Sequence, residues 1–264
     1  MRVFAIVVLL LMGLVLSPPA LAELHTEEVV YEHEGHELTG YLAYDASLSG
    51  ARPGVLVVHE WWGHNDYARQ RAEQLAAEGY VAFALDMYGS GEVADHPSEA
   101  GAFAGRIRQD HALLTGRFDA AHNWLRNHEL TRGRSLAAVG YCFGGTVALE
   151  AARAGAELAL VASFHAGLAT DRPAEPGVVN AELLIFNGAA DPMVPPEQVA
   201  AFKAEMADAG VRHTVVDFSG VLHSFTNPGA DAIAERFDMP VGYDARADRD
   251  SWHHMLGVFG DRLR

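Results

Sequence analysis

The sequence contains a single cysteine, Cys142, among 264 residues. A lone thiol cannot close an intramolecular disulfide, so cross-linking within the chain is excluded as the reason for its presence. Positive charge is also scarce: 19 lysines and arginines stand against 35 aspartates and glutamates, a formal net charge of -16. That balance repels phosphate backbones and anionic lipid surfaces, so neither nucleic acid nor membrane is an expected partner. There is no internal repeat, no low-complexity tract and no interdomain linker, and beyond residue 22 no apolar run long enough to span a bilayer. The 14 histidines, including the pairs His33 and His36, His59 and His64, and His253 and His254, lack zinc-ligand spacing, so no metal and no cofactor is expected.

Residues 1–22 stand apart. A positive start at Arg2, an apolar stretch from Val3 to Leu16, and Ser17-Pro-Pro-Ala20-Leu21-Ala22 with an A-x-A cleavage pattern read as a secretory signal peptide. The mature protein is expected to begin at Glu23, to be exported to the periplasm or the exterior, and to carry a charge of -17 once Arg2 is removed. The remaining residues, 23–264, suit one large domain with a substantial core, expected to be monomeric.

The pattern along that domain alternates. Two early strands, 27–33 and 37–44, joined at Glu34-Gly35-His36, are followed by a buried strand at 53–58 and a helix capped by Asn65 or Asp66. A strand at 80–85 precedes residues 86–105, glycine-rich and without clear period, which are expected to be irregular and to line a cleft. A helix bearing Phe118, Ala121 and Leu125 follows, then strands at 135–139, 158–164, 182–186 and 211–216 with helices at 146–153 and 196–209. Trp252, Met255, Leu256 and Phe259 are spaced as the core-facing stripe of a last helix. Strands alternating with helices over this length predict an α/β fold, a mostly parallel sheet with helices on both faces.

Cys142 sits at the centre of Gly140-Tyr141-Cys142-Phe143-Gly144-Gly145, between a predicted strand and a predicted helix. A Gly-x-nucleophile-x-Gly turn there is the sequence form of a nucleophile elbow, in which the glycines let strand and helix approach closely. The thiol would lie at a helix N-terminus, where the dipole favours the thiolate that attacks. A buried structural cysteine beside a glycine turn is the plainer alternative. Two later segments bear on the choice. Asp191 follows the 182–186 strand in Gly188-Ala-Ala-Asp191-Pro192, and His223 follows the 211–216 strand in Leu222-His223-Ser224-Phe225. Nucleophile, acid and histidine, each at a strand end and in that chain order, is the arrangement of an α/β-hydrolase triad.

With His59-Glu60-Trp61-Trp62-Gly63-His64-Asn65, these motifs resemble the dienelactone hydrolase family, cysteine hydrolases of the α/β-hydrolase fold, over essentially the whole mature chain. The resemblance implies an esterase acting on a small-molecule ester or lactone. In it Cys142 is the nucleophile, His223 its base and later the acid, and Asp191 the orienter of the imidazole. It implies further that Glu60 contacts the resting thiol and helps deprotonate it, and that the backbone N–H groups of Phe143 and Trp61 form the oxyanion hole. Trp62, Tyr88, Phe225 and Asn227 are the expected substrate-binding residues, with one of the Trp61–Trp62 pair lining the cleft and the other packing beneath the loop.

One departure concerns the substrate. Dienelactone-cleaving members place carboxylate-binding arginines just after the Asp-x-Tyr segment and shortly after His-Ser-Phe, where this sequence has Gly89-Ser90 and Thr226-Asn227. An anionic lactone is therefore not expected to be preferred unless Arg106 or Arg108 supplies the charge from elsewhere. A thioesterase, an esterase acting on carbohydrate esters, and a non-catalytic thiol-based binding or redox-sensing protein are the alternatives on the same fold.

Overall fold

The computed structural model describes residues 22–263. The expected signal peptide lies outside the described residues apart from Ala22. Eight strands form one sheet: β1 (Leu24–His33), β2 (His36–Asp45), β3 (Gly54–Val58), β4 (Val81–Leu85), β5 (Leu136–Tyr141), β6 (Leu160–Phe164), β7 (Glu182–Gly188) and β8 (His213–Phe218). Their spatial order is β1-β2-β4-β3-β5-β6-β7-β8. The first two strands are antiparallel to each other, and β2 is antiparallel to β4. Every pairing from β4 to β8 is parallel. The β1–β2 turn places Glu34 and Gly35 at φ 48° and 77°, the left-handed pair that a two-residue hairpin needs.

Seven helices connect or follow the strands: α1 (Asp66–Ala77), α2 (Pro97–Gln109), α3 (His111–Asn127), α4 (Phe143–Arg153), α5 (Pro196–Asp208), α6 (Ala230–Phe237) and α7 (Ala245–Arg262). The central strands are apolar throughout because both faces are covered. Val55 and Val57 of β3 face a core built with Tyr67, Ala68, Ala72 and Leu75 of α1 and Met255 and Phe259 of α7. Leu56 and Val58, on the opposite face, belong to a core that includes Phe118 and Leu125 of α3, Val147 of α4 and Phe202 of α5. Each fully buried leucine or phenylalanine in these layers contributes about 1.5–3 kcal/mol of transfer free energy.

The alternating pattern and the two-sided packing are as the sequence predicts, but two helices are not. Residues 86–105 are not irregular throughout: α2 starts at Pro97, with His96 as its cap, and turns Ala100, Ala104 and Ile107 inward. Alanine and glycine make this stripe too weakly apolar to stand out by period. Helix α6, between His223 and α7, is only eight residues long and buries only Ala230, although Ala230, Ile233, Ala234 and Phe237 share one face at helical spacing. In α7 the stripe is oriented as expected at Met255 and Phe259, whereas Trp252 is half-buried with Arg71 stacked 5.5 Å above its ring.

All connections that bear chemistry leave the carboxyl ends of parallel strands. Glu60 follows β3, Cys142 follows β5, Asp191 follows β7 and His223 follows β8. Open α/β sheets form their clefts at this edge.

Candidate active site

The β5–α4 junction is a turn that only its sequence permits. Cys142 has φ 53° and ψ -119°, a conformation costly for a side-chain-bearing residue, and it immediately precedes the first helical residue, Phe143. A Cβ on Gly140 would lie 2.2 Å from the Gly144 carbonyl oxygen. One on Gly144 would lie 2.2 Å from the Val58 oxygen and 2.6 Å from that of His59. Backbone thus meets backbone on both sides of the turn, and the elbow is fixed against the end of β3. The half-buried thiol faces the mouth of a cleft at the positive end of α4.

Behind it, His223 Nδ1–H donates to Asp191 Oδ2 at 2.7 Å. The other carboxylate oxygen, Oδ1, accepts from the backbone N–H of Met193 at 2.8 Å, so the loop itself orients the acid. Both residues are buried. Among the described residues His223 Nε2 is buried without a conventional hydrogen-bond partner. Burial disfavours the charged imidazole, but the Cys142 sulfur and the Asp191 carboxylate outweigh it and raise His223 to about 10. Those two partners favour the protonated form of His223. The structure therefore brings together the three residues that the sequence singles out.

Glu60 is 2 % exposed and lies in the same site, but its hydrogen bonds do not go to the thiol. Ser224 Oγ donates to its Oε1 at 3.2 Å and Asn227 Nδ2 donates to its Oε2 at 2.6 Å. Burial pushes its carboxyl group upward, against the pull of Asn227, His223, Ser224 and Arg71. Asn227 is accordingly not positioned as a substrate contact: its amide is committed to Glu60 and, through Oδ1, to the N–H of Gly229. Phe225 is not in the cleft either. It is fully buried, packed on His165 and Phe218, because the chain turns inward after Ser224 at φ 57°. Tyr88, 1 % exposed, lies beneath the Trp61 loop, where its hydroxyl donates to the Trp61 carbonyl at 3.0 Å.

The cleft, a cavity of about 340 Å³, is lined by Trp61, Trp62, Arg108, Cys142, Phe143 and His223, with further apolar walls from α6 and the segment that follows it. Both tryptophans line it, their rings edge to face at 5.1 Å, and Trp62 is at the same time buried and stacked on Phe237 at 6.1 Å. Of the two arginines considered from sequence, Arg106 is bound to Glu92 and to the Tyr88 carbonyl. Arg108 lines the cleft, its guanidinium 5.4 Å over the Phe143 ring. Ile233 of α6, Met239 and Val241 of the segment after it, and Ser224 also line the cleft; the helical spacing of Ile233 and the place of Ser224 beside His223 are the signals the sequence offers for them. Among the described residues no group of three His, Cys, Asp or Glu side chains is arranged to hold a metal ion.

Comparison with known proteins agrees with this geometry. The chain is 33% identical to a structure described as a dienelactone hydrolase-like promiscuous phosphotriesterase from metagenomic libraries, with a TM-score of 0.85 over 91% of this chain and 99% of that one. It is 27% identical over 240 residues to a putative carboxymethylenebutenolidase of Aquifex aeolicus, covering 89% of this chain and 98% of that protein. Protein usf of Aquifex pyrophilus is 26% identical over 243 residues, with 89% and 98% covered. A Klebsiella pneumoniae structure described as a putative dienelactone hydrolase shares the fold at 21% identity and a TM-score of 0.75, over 90% of this chain and 98% of that one. The sequence model of the dienelactone hydrolase family matches residues 38–263, so this α/β-hydrolase-fold protein belongs to that family of enzymes hydrolysing ester or lactone bonds.

Proposed function

We propose that this protein hydrolyses small-molecule esters or lactones through a thioester formed on Cys142. The observation that carries the reading is a strained cysteine at a helix N-terminus, lining one cleft with a buried histidine that is itself hydrogen-bonded to Asp191. In the first step the thiolate attacks the carbonyl carbon, and the oxygen that becomes negative is received by the N–H groups of Phe143 and Trp61. Collapse breaks the bond to the leaving oxygen, which takes a proton from His223. Water then attacks the thioester while His223 accepts its proton. The carbon–sulfur bond breaks, and acid and thiolate are released. Asp191 keeps the imidazole in the tautomer that both half-reactions need.

Glu60 has a supporting part in this reading. With His223 serving as the base beside the sulfur, a second base is not needed. The Glu60 carboxyl group instead ties the 223–227 segment, through Ser224 and Asn227, to the loop after β3. The apolar cleft also suits a neutral phosphotriester, the substrate class named for one of the similar structures. Export and a monomeric state remain part of the proposal, on the strength of residues 1–22 and the self-contained core.

A panel of chromogenic esters, lactones and thioesters, with one phosphotriester, tests the function against Cys142→Ala. Turnover by the wild type and none by a folded Cys142→Ala variant is the expected result. Equal turnover by both removes Cys142 as nucleophile.

A further inference from the structure

Beside the elbow lies a histidine that the chemistry above does not use. His59, the first residue after β3, is completely buried. Its Nδ1 is 2.5 Å from the carbonyl oxygen of the next residue, Glu60, and its Nε2 is 3.2 Å from the backbone nitrogen of Met87. A backbone N–H can only donate, so Nε2 is the acceptor and the ring proton of the neutral imidazole is on Nδ1. Nδ1–H therefore donates to Glu60 O, which also accepts from Gly63 N–H at 3.2 Å. Burial disfavours the cationic form and keeps this tautomer in place.

The consequence follows from peptide planarity. In a trans peptide the N–H points opposite to the C=O. Pinning the Glu60 carbonyl therefore sets the direction of the Trp61 N–H, which makes no hydrogen bond among the described residues. The next peptide is pinned as well, by the Tyr88 hydroxyl on the Trp61 carbonyl. The Tyr88 ring in turn rests edge-on against the imidazole at 4.8 Å. The other face of the site is tied to the same ring: His59 stacks on Phe143, centroids 5.9 Å apart and planes 25° apart. The close approach of Gly144 to the His59 carbonyl holds the two segments together.

We infer that His59 is a positioning residue for the oxyanion hole, one buried imidazole aligning the Trp61 N–H by hydrogen bonding and bracing Phe143 by stacking. The inference rests on the proposed acyl-transfer reading and adds to it a group that touches neither substrate nor sulfur.

The test separates attack on a carbonyl from reactivity of the thiolate. Iodoacetamide alkylates Cys142 without generating an oxyanion, whereas ester hydrolysis generates one in both half-reactions. His59→Phe keeps the ring and loses the donor; His59→Asn keeps a donor and loses the ring. For His59→Phe we expect kcat on a p-nitrophenyl ester to fall roughly 10- to 100-fold, up to the loss seen for a deleted oxyanion donor. KM should stay within about threefold and the alkylation rate within about twofold of wild type, the limits we set for an unperturbed site. His59→Asn should recover part of kcat through its amide N–H, and it carries the test alone where the phenylalanine variant does not fold. Wild-type kcat in either folded variant, or hydrolysis and alkylation falling together, overturns the inference. Wild-type protein that is alkylated at Cys142 yet still hydrolyses the ester refutes the nucleophile assignment and the inference with it.

Discussion

Replacing Asp191 by alanine removes the acceptor of the 2.7 Å bond from His223 Nδ1. The Asp191 side chain has no exposed surface and that of His223 has 6 %, so water cannot take the vacated place without rearrangement. Removing one partner of a buried ion pair costs about 3–5 kcal/mol because the other is left charged and unpaired. To the extent that the acylation transition state carries an imidazolium, this cost falls on kcat/KM, a loss of about 10²- to 10⁴-fold. Asp191→Asn removes the charge and also turns one of the two accepting oxygens into an N–H donor, which must face either His223 Nδ1–H or the Met193 N–H, so its loss should approach that of the alanine variant. The assay is kcat/KM for a chromogenic ester across the pH range, with the iodoacetamide rate of Cys142 as an independent reading of thiolate. Both quantities should fall in both variants. An alanine variant that is folded and within about threefold of wild type in both would refute the claim that Asp191 sustains the charged imidazole.

Three further outcomes are expected. Cys142→Ser should retain far less activity than wild type, about 10²-fold less or lower, because a hydroxyl is much harder to ionise than a thiol; near wild-type turnover would show that sulfur chemistry is dispensable. Arg108→Gln should lower kcat/KM for a monoanionic ester about two- to fivefold while sparing a neutral ester of the same size, the modest factor reflecting an exposed guanidinium; equal effects on both substrates would remove Arg108 from anion recognition. Stability should decline at alkaline pH, since folding raises His223 from the ordinary imidazole value to about 10. Its contribution is complete below about 6.5 and lost as pH rises through 10. Thermal unfolding across that window should show a steeper decline for wild type than for Cys142→Ala, which lacks the sulfur that helps raise the histidine, and parallel curves would contradict this.

Residues that act through backbone geometry were the most legible in the sequence. Gly140 and Gly144 flank Cys142 because no Cβ fits there, and such a constraint leaves its mark as residue type at fixed spacing. Asp191 and His223 were legible because each follows an apolar strand, and strand ends are where this sheet delivers side chains. The cleft walls were not. Tyr88, Phe225 and Asn227 lie next to catalytic segments in sequence, yet their side chains point into the core or toward Glu60. Direction depends on local turns such as the positive φ of Ser224, which residue identity does not encode. Arg108 shows the converse. It reaches the cleft from the end of α2, a helix whose alanine stripe carries too little hydrophobic contrast to be read as one.

The glycine contacts at the elbow have a consequence for how such a protein can change. Gly144 lies against the carbonyls of Val58 and His59, and Gly140 against that of Gly144, so the location of the reactive atom is set by main chain alone. Which atom it is, and what surrounds it, are decided by side chains that take no part in that contact. Exchange of the nucleophile, or remodelling of the walls by α2 and α6, can therefore proceed without moving the point at which bonds are made. Substrate range and reaction chemistry become separately adjustable traits on one invariant hinge of backbone, and a search for altered specificity is best aimed at those helices while the glycines are left untouched.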